Sequence, residues 1–291
     1  MSGGVTVVGG ATARGKTTLA VALAEKYDGE VISADALLVY RGLDIGTAKP
    51  TAAERRGVPH YMIDVAEPTE NFSVSDYERM ALPVLKDILS RSKTAIVCGG
   101  TGFYMQALLF SRALGGVAAD EKVREKYMRI AEEKGRGYLH SLLKECDVES
   151  AAKLHENDVK RVVRALEIYE LTGKKKSEQH DSLTPRFAYE AYAVDYPREE
   201  LYERIDRRVE TMFDAGLVDE VKGLIARGVD EHCQCMQAIG YKEILEGLRG
   251  GESEEGMKEK IKKNTRNYAK RQLTFFRKFA GLRWIGKDFL P

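Results

Sequence analysis

The chain has 291 residues, of which 43% are hydrophobic and 31% charged, a balance typical of a globular protein rather than a disordered or fibrous one. Its net charge of +1 does not by itself indicate nucleic-acid binding. No apolar run reaches the roughly eighteen residues of a membrane helix, and no signal-peptide pattern begins the chain, so we expect a cytoplasmic protein without a membrane partner. The four cysteines lack a zinc-like pair of spacings, which favours reduced thiols.

Strand and helix signals alternate along the first hundred residues. Short apolar runs predict strands at residues 5–8, 30–33, 61–64 and 94–98. Helical patterns cover residues 16–27 and 75–92. Strands separated by helices predict an α/β fold with a parallel sheet and helices on both faces.

The strand signals stop near residue 115. Residues 118–178 are typical of charged helices, with Asp147 and Asp158 as predicted N-caps and Gly173 as a helix stop. A strand-like run returns at 187–194, and the rest of the chain holds four helix signals and a last apolar run, at 197–213, 217–227, 236–248, 256–279 and 282–285. We therefore expect a core of residues 1–114 and 187–291, interrupted by a helical insertion of residues 115–186.

A glycine-rich loop lies directly between the first strand and the first helix. Residues 10–17 fit the P-loop pattern G-x-x-x-x-G-K-[ST], whose backbone N–H groups converge on phosphate oxygens at a helix N-terminus. Lys16 is expected to reach the terminal phosphates, and the Thr17 hydroxyl to ligate Mg²⁺. The core is thus predicted to be P-loop NTPase-like, with phosphate contacts from Gly10, Ala11, Thr12, Ala13, Arg14, Gly15, Lys16 and Thr17.

Two neighbouring features narrow the chemistry. The strand at 94–98 runs into Gly99-Gly100-Thr101-Gly102 without an acid at its end, where a hydrolysing motor usually places a metal-binding Asp, so ATPase activity is disfavoured. Asp35 closes the second strand, at the carboxyl edge where such sheets bind ligands. A carboxylate there can hold a metal, accept a proton or cap a turn, and the residues alone leave these roles open.

The charge distribution is uneven at the C-terminal end. Nine cations and a single acid, Glu259, lie between residues 258 and 278; the cations are Lys258, Lys260, Lys262, Lys263, Arg266, Lys270, Arg271, Arg277 and Lys278. Such a surplus is a candidate phosphate-binding face. The alternative is the solvated outer face of an amphipathic helix.

Five segments together resemble the tRNA dimethylallyltransferase family, also called tRNA isopentenyltransferases. The P-loop GATARGKT resembles the family's GPTASGKT, and residues 35–50, DALLVYRGLDIGTAKP, are similar to the family's longest signature. Three further blocks look like the family's and follow in its order, namely GGTGFY at 99–104, QAIGYK at 237–242 and YAKRQL at 268–273. The resemblance spans nearly the whole chain.

The resemblance implies a reaction and its residues. It implies transfer of a dimethylallyl (isopentenyl) group from dimethylallyl diphosphate to the exocyclic amine of the adenosine 3′-adjacent to the anticodon in tRNA, giving N6-prenyladenosine. Asp35 would be the general base, and Thr101 would line the reaction channel. The donor diphosphate would be held by the P-loop together with Arg124 and Arg208. The implied partners are the tRNA anticodon stem-loop and dimethylallyl diphosphate, with the protein as a monomer.

The resemblance also implies three stretches that touch tRNA, besides Thr101. They are Asp35, Ala36, Leu37 and Leu38; Lys160, Arg161, Val162, Val163 and Arg164; and Gln237, Ala238, Ile239, Gly240, Tyr241 and Lys242. The helical insertion and the basic C-terminal helix would clamp the stem and its phosphates, while the target base would be extruded to reach Asp35.

Two positions depart from the family pattern. Ala36 stands where the family usually has Ser, and the missing hydroxyl is expected to weaken the positioning of the adenine. Arg14 stands where Ser is usual, and its added cation is expected either to contact phosphate or to reach solvent.

Other functions fit part of the pattern. A small-molecule or nucleoside kinase would use the same P-loop with ATP and Asp35 as base. A prenyltransferase of free adenine nucleotides is a nearer rival, disfavoured by the basic tail and the insertion. A P-loop regulator without chemistry is disfavoured by Asp35 and Thr101 together. Without the resemblance, Arg124 and Arg208 are typical of solvated salt-bridge faces, and Tyr104 and Tyr241 of core aromatics.

Overall fold

The computed structural model describes residues 3–111, 115–179 and 184–287. The chain forms two compact units, Met1–Leu109 together with Phe187–Pro291, and Phe110–Arg186. The predicted insertion, residues 115–186, lies within the second unit. In the described part of the chain, no helix combines the length and the apolar character needed to cross a bilayer.

The first unit is built on a six-stranded sheet with the strand order β3-β2-β4-β1-β5-β6. Every neighbouring pair is parallel, which confirms the predicted parallel α/β core. The strands are β1 (Val5–Val8), β2 (Gly29–Ser33), β3 (His60–Tyr61), β4 (Thr94–Cys98), β5 (Tyr189–Asp195) and β6 (Leu282–Gly286). Because β1 lies between β4 and β5, the loop that follows β1 emerges near the middle of the carboxyl edge.

Twelve helices are found in the described residues. They are α1 (Lys16–Lys26), α2 (Ala52–Arg55), α3 (Val74–Ser90), α4 (Gly102–Leu109), α5 (Glu121–Lys134), α6 (Arg136–Cys146), α7 (Val148–Lys153), α8 (Val159–Thr172), α9 (Arg198–Asp214), α10 (Leu217–Ala226), α11 (Tyr241–Gly250) and α12 (Glu254–Phe276). The helices α5 to α8 belong to the second unit. The helix predicted at 236–248 is instead a 3₁₀ turn at Gln234–Gln237 followed by α11.

Both faces of the sheet are covered, as predicted. Val8, Val31 and Ile96 pack with α1 and α9 in one apolar cluster. The alternate residues Val7 and Val97 are fully buried as well, and α3 packs against β2 and β4. A parallel strand covered on both sides must be apolar on both sides, which explains the continuous Val and Ile runs.

Two strand predictions need correction. The strand expected at 61–64 is only His60–Tyr61, because Met62 and Asp64 adopt positive φ angles of 61° and 56° that end an extended strand. The apolar run at 282–285 was given no element, yet it is the edge strand β6, paired with β5 from Ala191 opposite Leu282.

A buried carboxylate marks the amino end of β2. Glu30 is 3% exposed. It accepts two hydrogen bonds of 2.6 Å from the Arg91 guanidinium and one of 2.8 Å from the Tyr61 hydroxyl. Lys93 Nζ lies 3.3 Å from the same carboxylate. The Arg91 hydrogen bonds lower the pKa of Glu30 to about 2, although burial opposes them.

The second unit has its own apolar core, which includes Leu139, Leu143 and Leu166. The α7 N-cap is Asp147, as predicted, and it accepts a hydrogen bond from the Ser150 N–H. Asp158 occupies the N-cap position of α8, but its side chain makes no capping hydrogen bond within the described residues. Gly173 ends α8 in a left-handed conformation with φ of 67°, as predicted.

Candidate active site at the carboxyl edge of the sheet

The P-loop ends in an open helix N-terminus. Gly10 and Gly15 have φ angles of 133° and 69°, which side chains other than glycine rarely adopt, so the turn depends on both glycines. Among the described residues, no side chain caps α1, and its first turn holds no acid. The first N–H groups of α1 therefore remain available to an anion.

Lys16 is a half-buried cation at this N-terminus. Its Nζ donates to the backbone oxygen of Ala11 at 2.8 Å, and no salt bridge to it occurs within the described residues. Burial lowers the pKa of Lys16 to about 8, while the nearby groups Cys98 and Asp35 oppose that shift. A cation held in this way would gain stability from an anionic ligand.

Arg208 reaches the same edge from α9. It is half-buried, and its guanidinium donates to the backbone oxygen of Thr47 at 3.3 Å. Burial lowers the pKa of Arg208, and the negative charges of Asp35 and Glu54 partly offset this effect. The alternative of a solvated salt-bridge face is therefore wrong for Arg208. The positive charge of Arg208 also lowers the pKa of Lys16.

Asp35 and Thr101 are fixed by hydrogen bonds between the loops after β2 and β4. The Thr101 N–H donates to the Ala34 oxygen at 3.0 Å, and the Ala36 N–H donates to the Thr101 hydroxyl at 3.0 Å. A side chain at Gly99 would collide with the Ala34 carbonyl, so this close approach requires glycine. One oxygen of Asp35 accepts the Leu37 N–H at 3.0 Å. A carboxylate has a second oxygen, so the capping role and a proton-accepting role are compatible.

Two residues of α12 join this network, and sequence reasoning missed both. Gln272 is 6% exposed; its side chain accepts from the Thr12 N–H at 2.9 Å and donates to the Gly100 oxygen at 3.0 Å. The side chains of Gln272 and Thr101 act on the Tyr268 hydroxyl and lower its pKa, against the larger effect of burial. Burial and the charge of Asp35 raise the pKa of Tyr268, so this phenol remains protonated. The available signal was that both are polar residues within the block at 268–273 that resembles the family.

Arg14 does not take either of its expected positions. Its guanidinium is 3% exposed, so it does not reach solvent. It donates to the Val194 oxygen at 2.6 Å and to Asp195 at 3.1 Å, both at the end of β5. Because these contacts occupy the Arg14 side chain, only its backbone N–H remains as a predicted phosphate contact. A second arginine, Arg204 of α9, supports the loop by donating to the Ala13 oxygen at 2.8 Å.

The predicted tRNA contacts in the first unit differ in exposure. Asp35 to Leu38 are all half-buried at the site, whereas Tyr241 is fully buried. The Tyr241 hydroxyl donates to Glu220 at 2.7 Å, and the same carboxylate accepts the backbone N–H groups of residues 44–46. The prediction is therefore wrong for the Tyr241 side chain, which braces a loop. Gln237 and Lys242 are exposed, and their role stays a prediction.

Most of the remaining predicted site residues, Arg124 and residues 160–164, lie in the second unit. Arg124 and Arg164 both donate to Glu167, which is fully buried, at 2.9 and 2.6 Å. Val162 and Val163 are buried in the core of this unit, so their side chains are not available to RNA, contrary to the prediction. Lys160 and Arg161 are exposed on α8 and stay predicted contacts, together with Ala238, Ile239 and Gly240 of the first unit.

The cations of α12 and of the two residues that follow it fall into two groups. The N-terminal group is matched by acids, with Lys258 and Lys262 paired to Glu210, Lys260 to Glu252 and Arg266 to Asp206. A second group makes no salt bridge within the described residues; it consists of Lys263, Lys270, Arg271, Arg277 and Lys278. The prediction of a continuous phosphate-binding face is therefore wrong for the N-terminal part of α12.

A divalent cation fits this edge only together with a ligand. No group of three or more His, Cys, Asp or Glu side chains that could hold a metal occurs in the described residues. The half-buried Thr17 hydroxyl lies in the first turn of α1, beside Lys16. Mg²⁺ commonly uses one or two protein oxygens and completes its shell with substrate phosphates and water. This donor set matches such a site.

Comparison with known proteins gives a consistent result. Residues 38–279 match a family model described as IPP transferase. The chain is 45% identical to a tRNA dimethylallyltransferase of Acetivibrio thermocellus, over 98% of this chain and 92% of that relative. It is 44% identical to a tRNA dimethylallyltransferase of Pelotomaculum thermopropionicum, over 96% of this chain and 89% of the relative.

Two solved structures are also similar to this chain over nearly its whole length. The crystal structure of a full-length tRNA isopentenylpyrophosphate transferase from Bacillus halodurans is 42% identical, with a TM-score of 0.73 over 97% of this chain and 89% of that one. A eukaryotic dimethylallyltransferase, studied crystallographically while acting on tRNA, is 33% identical, with a TM-score of 0.83 over 98% of this chain and 74% of that one.

Proposed function

Because this chain belongs to the IPP transferase family, as its motifs predicted, we propose that it transfers a dimethylallyl group from dimethylallyl diphosphate to tRNA. The acceptor is the exocyclic amine of the adenosine 3′-adjacent to the anticodon, and the product is N6-prenyladenosine. A tRNA substrate implies that the protein acts in the cytoplasm, and we propose that it acts as a monomer.

The observation that carries the proposal is an unmatched pair of cations beside a carboxylate. Lys16 and Arg208 both have a lowered pKa through burial, and the charge of Asp35 acts on each of them. A diphosphate would relieve the cost of holding these cations out of water. The negative charge of Asp35 raises the pKa of both Lys16 and Arg208. A carboxylate placed in this way is suited to accepting a proton at the same edge.

The chemistry follows from the charges. As the bond between the allylic carbon and the diphosphate oxygen breaks, the carbon gains cationic character and the leaving group gains negative charge. Lys16, Arg208 and the N–H groups of α1 would stabilise that charge more in the transition state than in the ground state. The adenine nitrogen forms the new bond to carbon, and Asp35 takes the proton that this nitrogen loses.

Residues around Asp35 would position the acceptor. The Thr101 hydroxyl accepts the Ala36 N–H at 3.0 Å, so it is fixed against the loop that carries Asp35. We propose that this pair lines the channel into which the extruded base enters. Ala36 provides its backbone N–H to Thr101, a contact that does not need the side-chain hydroxyl usual at this position.

A divalent cation, which we propose to be Mg²⁺, would be held by Thr17 and the donor phosphates and would supply further positive charge to the leaving group. For the tRNA, we propose contacts from Lys160 and Arg161 on the second unit and from Lys242 and Lys263 on the first. These side chains are exposed. Cations at such positions bind the RNA backbone without reading its sequence.

The kinase alternative uses the same cradle and base. Family membership favours prenyl transfer, because the relatives are named tRNA dimethylallyltransferase and not kinase. The deciding experiment incubates the protein with bulk tRNA, dimethylallyl diphosphate and Mg²⁺ and analyses the digested nucleosides by mass spectrometry. We expect N6-dimethylallyladenosine without any ATP. Formation of ADP in proportion to product, or a phosphorylated acceptor, would instead establish the kinase.

A further inference from the structure

A pocket of about 770 Å³ lies beside the P-loop in the first unit. Its walls come from the end of β5, from α9 and α12, and from β6, and they include Arg14, Arg198, Tyr202, Lys270, Arg277 and Trp284. Its volume is in the range of small-molecule sites. The reaction site is separate, since Lys16, Asp35, Thr101 and Arg208 are not among the lining residues.

The pocket concentrates unmatched positive charge. Asp195, the one acid among the described residues that line the pocket, is already paired with Arg14 at 3.1 Å. Arg198 donates to the Tyr202 hydroxyl at 3.0 Å and Lys270 to the Asn267 side chain at 3.4 Å, both of which are neutral partners. Together with Arg277, they leave three cations without a salt bridge in the described part of the chain. Such a group favours a ligand that carries phosphate.

The back wall holds a polar atom without a partner. Arg14 Nε is buried and makes no hydrogen bond to the described residues, whereas one terminal nitrogen donates to the Val194 oxygen and to Asp195, and the other donates to the Tyr196 oxygen at 3.4 Å. The same guanidinium lies 5.5 Å from the centre of the Trp284 ring. Because this nitrogen is itself enclosed, Arg14 contributes shape and charge to the wall, and direct contacts to a ligand are left to the exposed cations Arg198, Lys270 and Arg277.

Aromatic side chains complete the lining. Trp284 is 36% exposed and belongs to the pocket wall, as do Tyr196 and Tyr202. Flat apolar rings next to phosphate-binding cations are the combination with which proteins hold nucleobases, by stacking the base and pairing its phosphate. An isoprenoid diphosphate has no flat ring to stack there.

We propose that this pocket is a second binding site, specific for a nucleoside phosphate, either free or as a nucleotide of an RNA chain. The base stacks on Trp284, and the phosphate is held by Lys270, Arg277 and Arg198. Arg14 builds the back wall, so the pocket depends on a residue that stands where the family usually has serine. This site does not depend on the identity of the group transferred at Asp35.

The experiment uses the single tryptophan of the chain as its reporter. Trp284 fluorescence is followed while the full-length protein is titrated with ATP, ADP or AMP, in the presence of saturating dimethylallyl diphosphate. We expect saturable quenching that survives the donor and persists in Lys16→Met. An RNA anticodon stem-loop forms the second arm. Quenching by free nucleotides assigns a free ligand, and quenching by the RNA alone assigns a nucleotide of the chain.

The variant Lys270→Ala/Arg277→Ala should weaken nucleotide binding about tenfold or more while donor affinity stays unchanged. The matched control is Lys258→Ala, which removes a cation of the same helix that is paired with Glu210 and Glu254. It should leave nucleotide binding unchanged. Absence of a response to every nucleoside phosphate and to the RNA at millimolar concentration would overturn the proposal. Competition by the donor together with loss of binding in Lys16→Met would also overturn it, because the nucleotide would then occupy the P-loop.

Discussion

A buried carboxylate at the amino edge of the sheet is paired with opposite charges, whereas the buried charge of Lys16 at the carboxyl edge is not. At the amino edge, Glu30 is surrounded by Arg91, Tyr61 and Lys93, and these partners lower its pKa to about 2. At the carboxyl edge, burial lowers the pKa of Lys16 to about 8, and within the described residues its Nζ donates to a backbone oxygen and pairs with no carboxylate. A matched charge fixes the fold, whereas an unmatched one marks the place where a ligand completes the site.

The largest effect is expected at the carboxylate of the carboxyl edge. Asp35→Asn keeps the shape and the hydrogen bond to the Leu37 N–H but cannot accept a proton. Turnover should fall about 10²-fold or more, with tRNA affinity and thermal stability little changed. Single-turnover kinetics with a nitrocellulose binding assay would measure both. Near-normal turnover would remove Asp35 as the base.

Lys16→Met tests whether the unmatched cation serves binding rather than folding. Donor affinity should fall by roughly 10- to 100-fold, because a charge-assisted contact to phosphate is lost. The free energy of unfolding should rise by on the order of 1 kcal/mol at pH 7, since a buried charge is removed. Isothermal titration and chemical denaturation give the two values. Lower stability together with unchanged donor affinity would contradict the comparison.

Glu30→Gln should give the opposite result at the matched edge. It keeps the side-chain size but loses the charge that Arg91 pairs with, so unfolding should become easier by about 2 kcal/mol. Donor affinity and turnover per folded molecule should remain at the level of the unmodified protein. An active-site effect without a stability loss would show that the two edges are not independent.

The pH dependence of the free energy of unfolding should distinguish Glu30 from Lys16. The Glu30 pKa is lowered from 4.5 to about 2, so its stabilisation is present above pH 4.5 and is lost as the pH falls through 2. The Lys16 pKa is lowered from 10.5 to about 8, so its destabilisation is complete below pH 8 and is relieved as the pH rises toward 10.5. Denaturation curves of each variant against the parent should show differences that vary only in these windows. A constant difference in unfolding free energy between variant and parent at all pH values would contradict these two pKa shifts.

The smallest effect concerns two neighbours on α12. Lys263 is exposed and makes no salt bridge within the described residues, whereas Lys262 is paired with Glu210 and Glu259. Lys263→Ala should lower the salt dependence of tRNA binding by roughly one unit of slope, and Lys262→Ala should leave the slope unchanged. Equal slopes for the two variants would mean that pairing does not decide which cations of α12 meet RNA.

Local patterns were sufficient for the parts that depend on neighbouring residues. The strand of residues 5–8, the P-loop and the position of Asp35 at the end of β2 could all be predicted, because glycine spacing and apolar runs act over a few residues. The distant partners could not. Lys262 meets Glu210 and Gln272 meets Thr12 across 52 and 260 positions of the sequence, and no short-range pattern specifies either contact.

Arg14 shows the same limit at a single position. Its neighbours in sequence suggested phosphate or solvent, but the adjacent strand β5 brings the Val194 oxygen and Asp195 to its guanidinium. Edge strand β6 was missed for a related reason. Its run of four residues is shorter than most strands, and only pairing with β5 makes it one.

The hydrogen bonds from Gln272 to the loops at Thr12 and Gly100 have a consequence for the order in which the chain folds. The P-loop is made first and its partner in α12 almost last, so the core closes through contacts of very large sequence separation, which form slowly. The second unit is one continuous segment, Phe110–Arg186, and can complete its own core while the rest is still being synthesised. Pulsed hydrogen exchange during refolding should therefore protect amides of α6 and α8 before those of β1.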